Sequence, residues 1–261
     1  MRQAAADAPP ELAPPGSPHQ ARPVANGEFA LWAYDGQKAE RRWGRPPPQY
    51  YVEYPSVQIG DLGGDGRPRA VVGSWCHVWN LDLATGEVAS HTTWDPGGAN
   101  QRHYGFTRLT DVDGDGRPDF VNLALTKHID VLRNEGGKLV HAWTHAWPDT
   151  VTTEARSLRW PGEPVVDLDG DGALEVVAAL FDTRADRRWH LKVYHAATGG
   201  PGGEALDVVP LATIPLWGNE GGSALLCARG RSMQADPPDS CEVVSFRGGK
   251  FETLWASPEA R

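Results

Sequence analysis

The chain has 261 residues, a formal net charge of −9, 30 glycines and 22 prolines. A chain of that length can bury a substantial core as one domain, and an acidic balance with no basic cluster excludes a nucleic-acid partner. No apolar stretch of about 7–15 residues follows the start and none reaches the length of a bilayer span, so neither a signal peptide nor a membrane span is expected within it.

Residues 1–25 hold Pro9, Pro10, Pro14, Pro15, Pro18 and Pro23 and few large apolar side chains, the composition of a disordered leader. Residues 26–261 are expected to fold. Phe29-Ala-Leu-Trp-Ala-Tyr34, the turn Asp35-Gly36 and the segment to Trp43 read as one strand pair. Then comes an acidic loop in three copies: Asp61-Leu-Gly-Gly-Asp65-Gly-Arg-Pro-Arg69, Asp111-Val-Asp113-Gly-Asp115-Gly-Arg-Pro-Asp119 and Asp167-Leu-Asp169-Gly-Asp171-Gly-Ala-Leu-Glu175. Each leads into a short apolar run: Ala70–Val72, Phe120–Ala124 and Val176–Leu180. A strand, a glycine-containing turn and a further strand follow each run. The pairs are Trp75–Leu81 with Val88–Thr93, His128–Leu132 with Leu139–Trp143, and Trp189–Tyr194 with Leu206–Pro210. A fourth, degenerate copy at Leu216–Leu226 keeps the turn and the apolar run without the aspartates. Cys241–Phe246 and Phe251–Trp255 complete it. The loops start at 61, 111, 167 and about 219, a repeat with an all-β unit, and no window carries a helical apolar period.

The loop chemistry points to calcium. A hard cation takes six to eight oxygens at about 2.3–2.6 Å, and carboxylates at positions 1, 3 and 5 converge only if the backbone curls tightly between them. Gly114 and Gly116, like Gly170 and Gly172, permit that curl. One set of donors is Asp111, Asp113, Asp115, Asp119 and the carbonyl of Arg117. The other is Asp167, Asp169, Asp171, Glu175 and the carbonyl of Ala173. The first copy has Gly63 at position 3 and Arg69 at position 9, so its site is expected to be weak or empty, with an Arg69–aspartate ion pair in the metal's place. An EF-hand is excluded, because position 12 is Val72, Asn122 or Ala178 and the flanks are strand-like.

The pattern Asp-x-Asp-x-Asp-Gly-x-x-Asp between short strands resembles the FG-GAP and VCBS repeats of calcium-binding β-propellers, among them integrin α-chain heads and secreted bacterial proteins. The resemblance runs over residues 50–260 and is most specific at 111–119 and 167–175. It implies four-stranded antiparallel blades with calcium in the hairpin between the first two strands of each. On this chain that means about four blades plus an N-terminal half blade, in an arc or small ring whose first sheet has fewer strands. The natural protein is expected to continue beyond one terminus.

Three cysteines make no disulfide framework. Cys227 and Cys241 flank one hairpin loop and leave room for a single bridge, with Cys76 as a buried thiol. Of eleven tryptophans, most are expected to pack between blades; Trp94, Trp147 and Trp160 sit near loops and are candidates for a sugar-binding surface. His141 and His145 share a strand face without making a zinc site, the loop Asn100–Tyr104 could line a pocket, and no nucleophile elbow or dinucleotide fingerprint is present. Two functions stand. One is a non-catalytic, calcium-stabilised module, secreted, periplasmic or at the cell surface, that binds a glycan or protein partner as in cell adhesion. The other is part of a polysaccharide-active enzyme resembling propeller-type rhamnogalacturonan lyases, which carry similar loops.

Overall fold

A computed structural model describes residues 29–46, 56–74, 77–93, 104–124, 128–146, 158–183, 185–216, 221–230 and 240–257. Every regular element among them is a β-strand, and none of them is a helix long and apolar enough to cross a membrane. Strands β1 (Phe29–Tyr34) and β2 (Ala39–Arg45) form an antiparallel pair. The first full blade is β3 (Ser56–Gly60), β4 (Arg69–Ser74), β5 (His77–Asp82) and β6 (Val88–Thr93), paired in chain order. The second is β7 (Tyr104–Thr110), β8 (Asp119–Ala124), β9 (His128–Glu135) and β10 (Lys138–Ala146). The third holds β11 (Leu158–Arg159) and β12 (Val165–Val166), both against β13 (Glu175–Phe181), then β14 (Trp189–His195) and β15 (Pro201–Leu206). The fourth is β16 (Val208–Pro215), β17 (Ser223–Arg229), β18 (Ser240–Arg247) and β19 (Lys250–Ala256).

The apolar residues of these strands are buried between sheets. Phe29 and Leu83 pack with Ala70, Val72, Trp79 and Leu81 between the half blade and the first blade. Leu62, Val71, Val78, Phe120, Leu132 and Leu139 fill the next junction. Val121, Leu123 and Val131 meet Val176, Ala178 and Leu180 at the third, and Val177, Trp189 and Leu191 meet Leu225, Val244 and Phe246 at the fourth. The second strand of each blade is apolar on both faces because both faces are covered, so β8 and β13 are buried along their whole length. A fully buried large side chain contributes about 1.5–3 kcal/mol, so every blade depends on its neighbours. The sheets follow one another in chain order, and among the described residues they do not close into a ring. This is the β-propeller of four blades and an N-terminal half blade that the repeat implied, as an open arc.

At three places the structure decides what the sequence read otherwise or left open. Val208–Pro210 do not end the third blade: Gly199 (φ +71) returns the chain at once, Tyr194 pairs with Pro201, and Val208 opens the fourth blade beyond Asp207 (φ 60). The first strand of the third blade is split in two, since Pro161 and Pro164 cannot donate to a ladder. The bulged segment instead ties three blades together. Arg108 of the second pairs with Glu163 at 2.6 Å, and Thr213 of the fourth donates to the Glu163 carbonyl at 2.6 Å. Finally, Cys227 and Cys241 are both free. Ala228 stands opposite Cys241 in the ladder, so Cys227, one residue away, points to the other face of the sheet and no bridge can form. Burial pushes the Cys227 thiol up to about 12, with the charge of Glu242 adding to the effect. The expected leader over 1–25, Cys76, Trp94, Trp147 and the loop Asn100–His103 lie outside the described residues.

Candidate metal centres

Each acidic loop joins the first two strands of its blade: 61–68 lies between β3 and β4, 111–118 between β7 and β8, and 167–174 between β12 and β13. The loops curl because their first aspartate receives the backbone amides that follow it. Asp111 Oδ1 accepts from Gly114 at 2.8 Å and Oδ2 from Gly116 at 2.8 Å; Asp167 repeats this with Gly170 at 2.7 Å and Gly172 at 3.0 Å. The glycines stand at φ +78, +84, +82 and +91, where a side chain would be strained. The fifth-position aspartates hold the next turn, Asp115 through Arg117 N–H at 2.8 Å and Asp171 through Ala173 N–H at 2.7 Å.

Two clusters result. Carboxylate oxygens of Asp111, Asp113 and Asp115 lie within 4.8 Å of one another, as do those of Asp167, Asp169 and Glu175. Hard oxygen donors at this spacing, on a backbone already curled around their centre, fit a calcium ion. The ninth-position acids sit deeper. Asp119 is buried, with one oxygen accepting from Val112 N–H at 2.9 Å and the other from Asn134 N–H at 2.7 Å. Glu175 is buried as well and accepts from Leu168 N–H at 2.9 Å. Each carboxylate oxygen has a second lone pair, so this bracing leaves coordination capacity. Both acids feel the crowding. Burial raises the Asp119 pKa, with the charges of Asp113 and Asp115 adding to it. Burial pushes Glu175 up to about 7, helped by the charges of Asp169, Asp171 and Asp167. A divalent cation would reverse that repulsion.

The first loop is built differently. Asp61 still accepts from Gly66 N–H at 2.7 Å, and these backbone donors, Gly66 first, hold its carboxyl below the usual range. The Arg69 guanidinium reaches Asp65 at 3.4 Å, the ion pair expected in place of a metal. Among the described residues this loop brings no trio of acids together. Asn134 is a participant that motif reading missed. Its side-chain amide donates to Leu62 O at 2.8 Å and Pro118 O at 3.2 Å, while its own N–H braces Asp119, so it links the first and second loops. The only sequence signal for it is the Asn-Glu-Gly-Gly turn, read as a turn and nothing more. Trp160, a candidate binding residue, is half-buried against the core between the second and third blades. His145 lies against Tyr194 with ring centroids 4.6 Å apart.

The FG-GAP-like repeat family matches residues 111–178, a span that takes in both complete acid loops and leaves the Arg69 loop outside. Comparison with curated proteins gives no match. Among solved structures, Sqt1 of Saccharomyces cerevisiae superposes with a TM-score of 0.51 at 15% identity, over 87% of this chain and 56% of that one. The C-terminal domain of Pseudomonas aeruginosa PilY1 gives 0.47 at 13% identity, over 69% and 38%, and the WD40 domain of Toxoplasma gondii coronin 0.43 at 13%, over 78% and 46%. The chain thus spans about half the length of these structures. Residues 111–178 carry an FG-GAP-like repeat within a β-propeller fold.

Proposed function

We propose that this propeller is a calcium-stabilised, non-catalytic binding module that works outside the cytosol, at the cell surface, in the periplasm or as a secreted protein, on a glycan or protein partner. The observation that carries the reading is the pair of three-carboxylate clusters, Asp111/Asp113/Asp115 and Asp167/Asp169/Glu175. Asp119 and Asp171, with the carbonyls of Arg117 and Ala173, complete the two donor sets. Extracellular modules of this kind bind calcium with dissociation constants of about 10⁻⁴–10⁻³ M, a range that only a calcium-rich compartment saturates. Bound calcium then locks the first hairpin of the second and third blades and leaves the loops of the first blade to Arg69. Calorimetric titration should return a stoichiometry near two, and EDTA should lower the melting temperature. At ten times the dissociation constant each site adds about 1.4 kcal/mol. A melting curve unchanged by EDTA, or three sites of equal strength, overturns the reading.

A further inference from the structure

The ninth position of each acidic loop opens the second strand of its blade, and the residue facing it across the ladder answers its charge. In the first blade Arg69 pairs with Asp82, and in the third Glu175 pairs with His195. In the second blade the ladder runs to Phe120 and Leu132, so Asp119 and Arg133 stand opposite each other one step further on. The signs change together. Where the loop ends in an arginine the facing residue is an acid, and where it ends in an acid the facing residue is basic. Opposite charges at directly opposed positions stabilise an antiparallel pair, whereas like charges there repel. Strands β5, β9 and β14 therefore each carry a counter-charge for the loop beside them, which the loop motif alone does not reveal.

Arg133 reaches beyond the residue it faces. Its Nε stands 3.4 Å from Asp113 Oδ2, one of the three carboxylates of the second loop's cluster. The two side chains are 41% and 24% exposed, so the pair is only partly screened by solvent. The same guanidinium is anchored from the next blade. Its Nη2 donates to Ala197 O, in the hairpin turn that follows β14, at 2.7 Å. A planar arginine fork can serve a carboxylate and a carbonyl at once, which a lysine ammonium at this position could not. The third loop has a different neighbour: His195 Nδ1 lies 3.9 Å from Glu175 Oε1, on a side chain that is 54% exposed.

We propose that Arg133 sets the calcium affinity of the second loop, as a tethered counter-ion that holds Asp113 and competes with a divalent cation for it. This rests on the calcium reading of the two clusters. Asp113 has to leave the guanidinium to reach a cation, and Ala197 O keeps the guanidinium beside the loop after it does. A positive charge held there opposes a second one at the cluster. Both effects raise the calcium level at which the second loop fills. Because the anchor belongs to the third blade, that level is set in part by the junction between the two blades.

Calorimetric calcium titration of Arg133→Met tests it, since methionine keeps an unbranched apolar stem and removes the charge. One site should tighten about three- to fivefold, the scale of a part-exposed ion pair, while the other keeps its wild-type constant. Arg133→Lys, which keeps a charge but cannot hold Asp113 and Ala197 O together, should fall between the two. Circular dichroism in EDTA checks that both variants fold. Saturating calcium should then raise the melting temperature of Arg133→Met by more than that of the wild type. Unchanged or weaker binding by Arg133→Met, beside a wild type that takes up calcium, overturns this proposal alone. A wild type that takes up none overturns the calcium reading and the proposal with it. If Arg133→Met does not fold, unchanged affinity in Arg133→Lys overturns the proposal instead.

Discussion

Single side chains in this molecule do two separable jobs, and the carboxylates show both. Asp113 contributes to the three-carboxylate cluster and also reaches Arg133 at 3.4 Å, whereas Asp119 spends both oxygens on backbone amides. Asp113→Ala should therefore abolish part of the EDTA sensitivity with little loss in apo stability. Asp119→Ala should destabilise the apo protein too, by about 1–3 kcal/mol for buried donors left unpaired; melting with and without EDTA separates the two. The histidines set a pH response. His77 and His91 stack with Trp79 at centroid distances of 5.2–5.4 Å, their rings linked by a 3.1 Å hydrogen bond. Burial lowers both pKa values, and for His77 the charge of His91 adds to it. The unfolded chain therefore takes up these protons first. Their stabilisation is present above about pH 6.5 and is lost as pH falls through the depressed folded values. His190 runs the other way: burial opposes its charge, but Glu204 and Asp186 together raise its pKa, so its contribution fades as pH rises. In saturating calcium the melting temperature should drop between pH 7.5 and 5.5, and His91→Phe should shrink that drop. An equal drop in the variant would remove the pair as its source.

At the scale of the element, the blade junction is the unit of stability, and its hydrogen bond can be tested apart from its area. Trp143→Phe keeps a large ring over Gly199 but deletes the 2.9 Å bond to Ala196 O. It should cost about 1–2 kcal/mol in denaturant unfolding, because the carbonyl of buried Ala196 loses its donor. Trp255→Phe, at the same position of an end blade, should fall within about 0.5 kcal/mol of wild type under dilute conditions. Comparable losses in the two variants would mean that Trp143 acts through bulk alone.

The whole molecule is an arc whose ends are not alike. Deleting the half blade, residues 29–46, strips cover from Trp79, Leu81 and Leu83 and removes the Trp43–Leu83 bond. The prediction is a lower melting temperature with weaker cooperativity at the first blade, because a repeat without its neighbour keeps its own ladder and loses one buried face. Hydrogen exchange should show β4 and β5 losing protection while β17 and β18 keep theirs. Uniform loss along the chain would instead mean that the arc unfolds as one unit.

What the sequence by itself determined is what short-range chemistry controls. Alternating aspartates with glycines at the positive-φ positions specify a curled loop whatever surrounds it, so both acid clusters, the Arg69–Asp65 pair of the first loop, the repeat and the all-β blades were legible. The bounds of the third blade were not, because whether Val208 ends one sheet or begins the next depends on which strand it meets across Asp207. Nor could spacing tell that Cys227 and Cys241 face opposite sides of a sheet, or that Asn134 reaches a carbonyl 72 residues away. The tryptophans mark the divide most clearly. Trp43, Trp143 and Trp255 occupy the same bulge-following position in their strands, yet two are covered and one is exposed. Local pattern fixes the position of an indole along its strand; only the presence or absence of a next blade decides whether it is core or surface, because burial is a property of the neighbour.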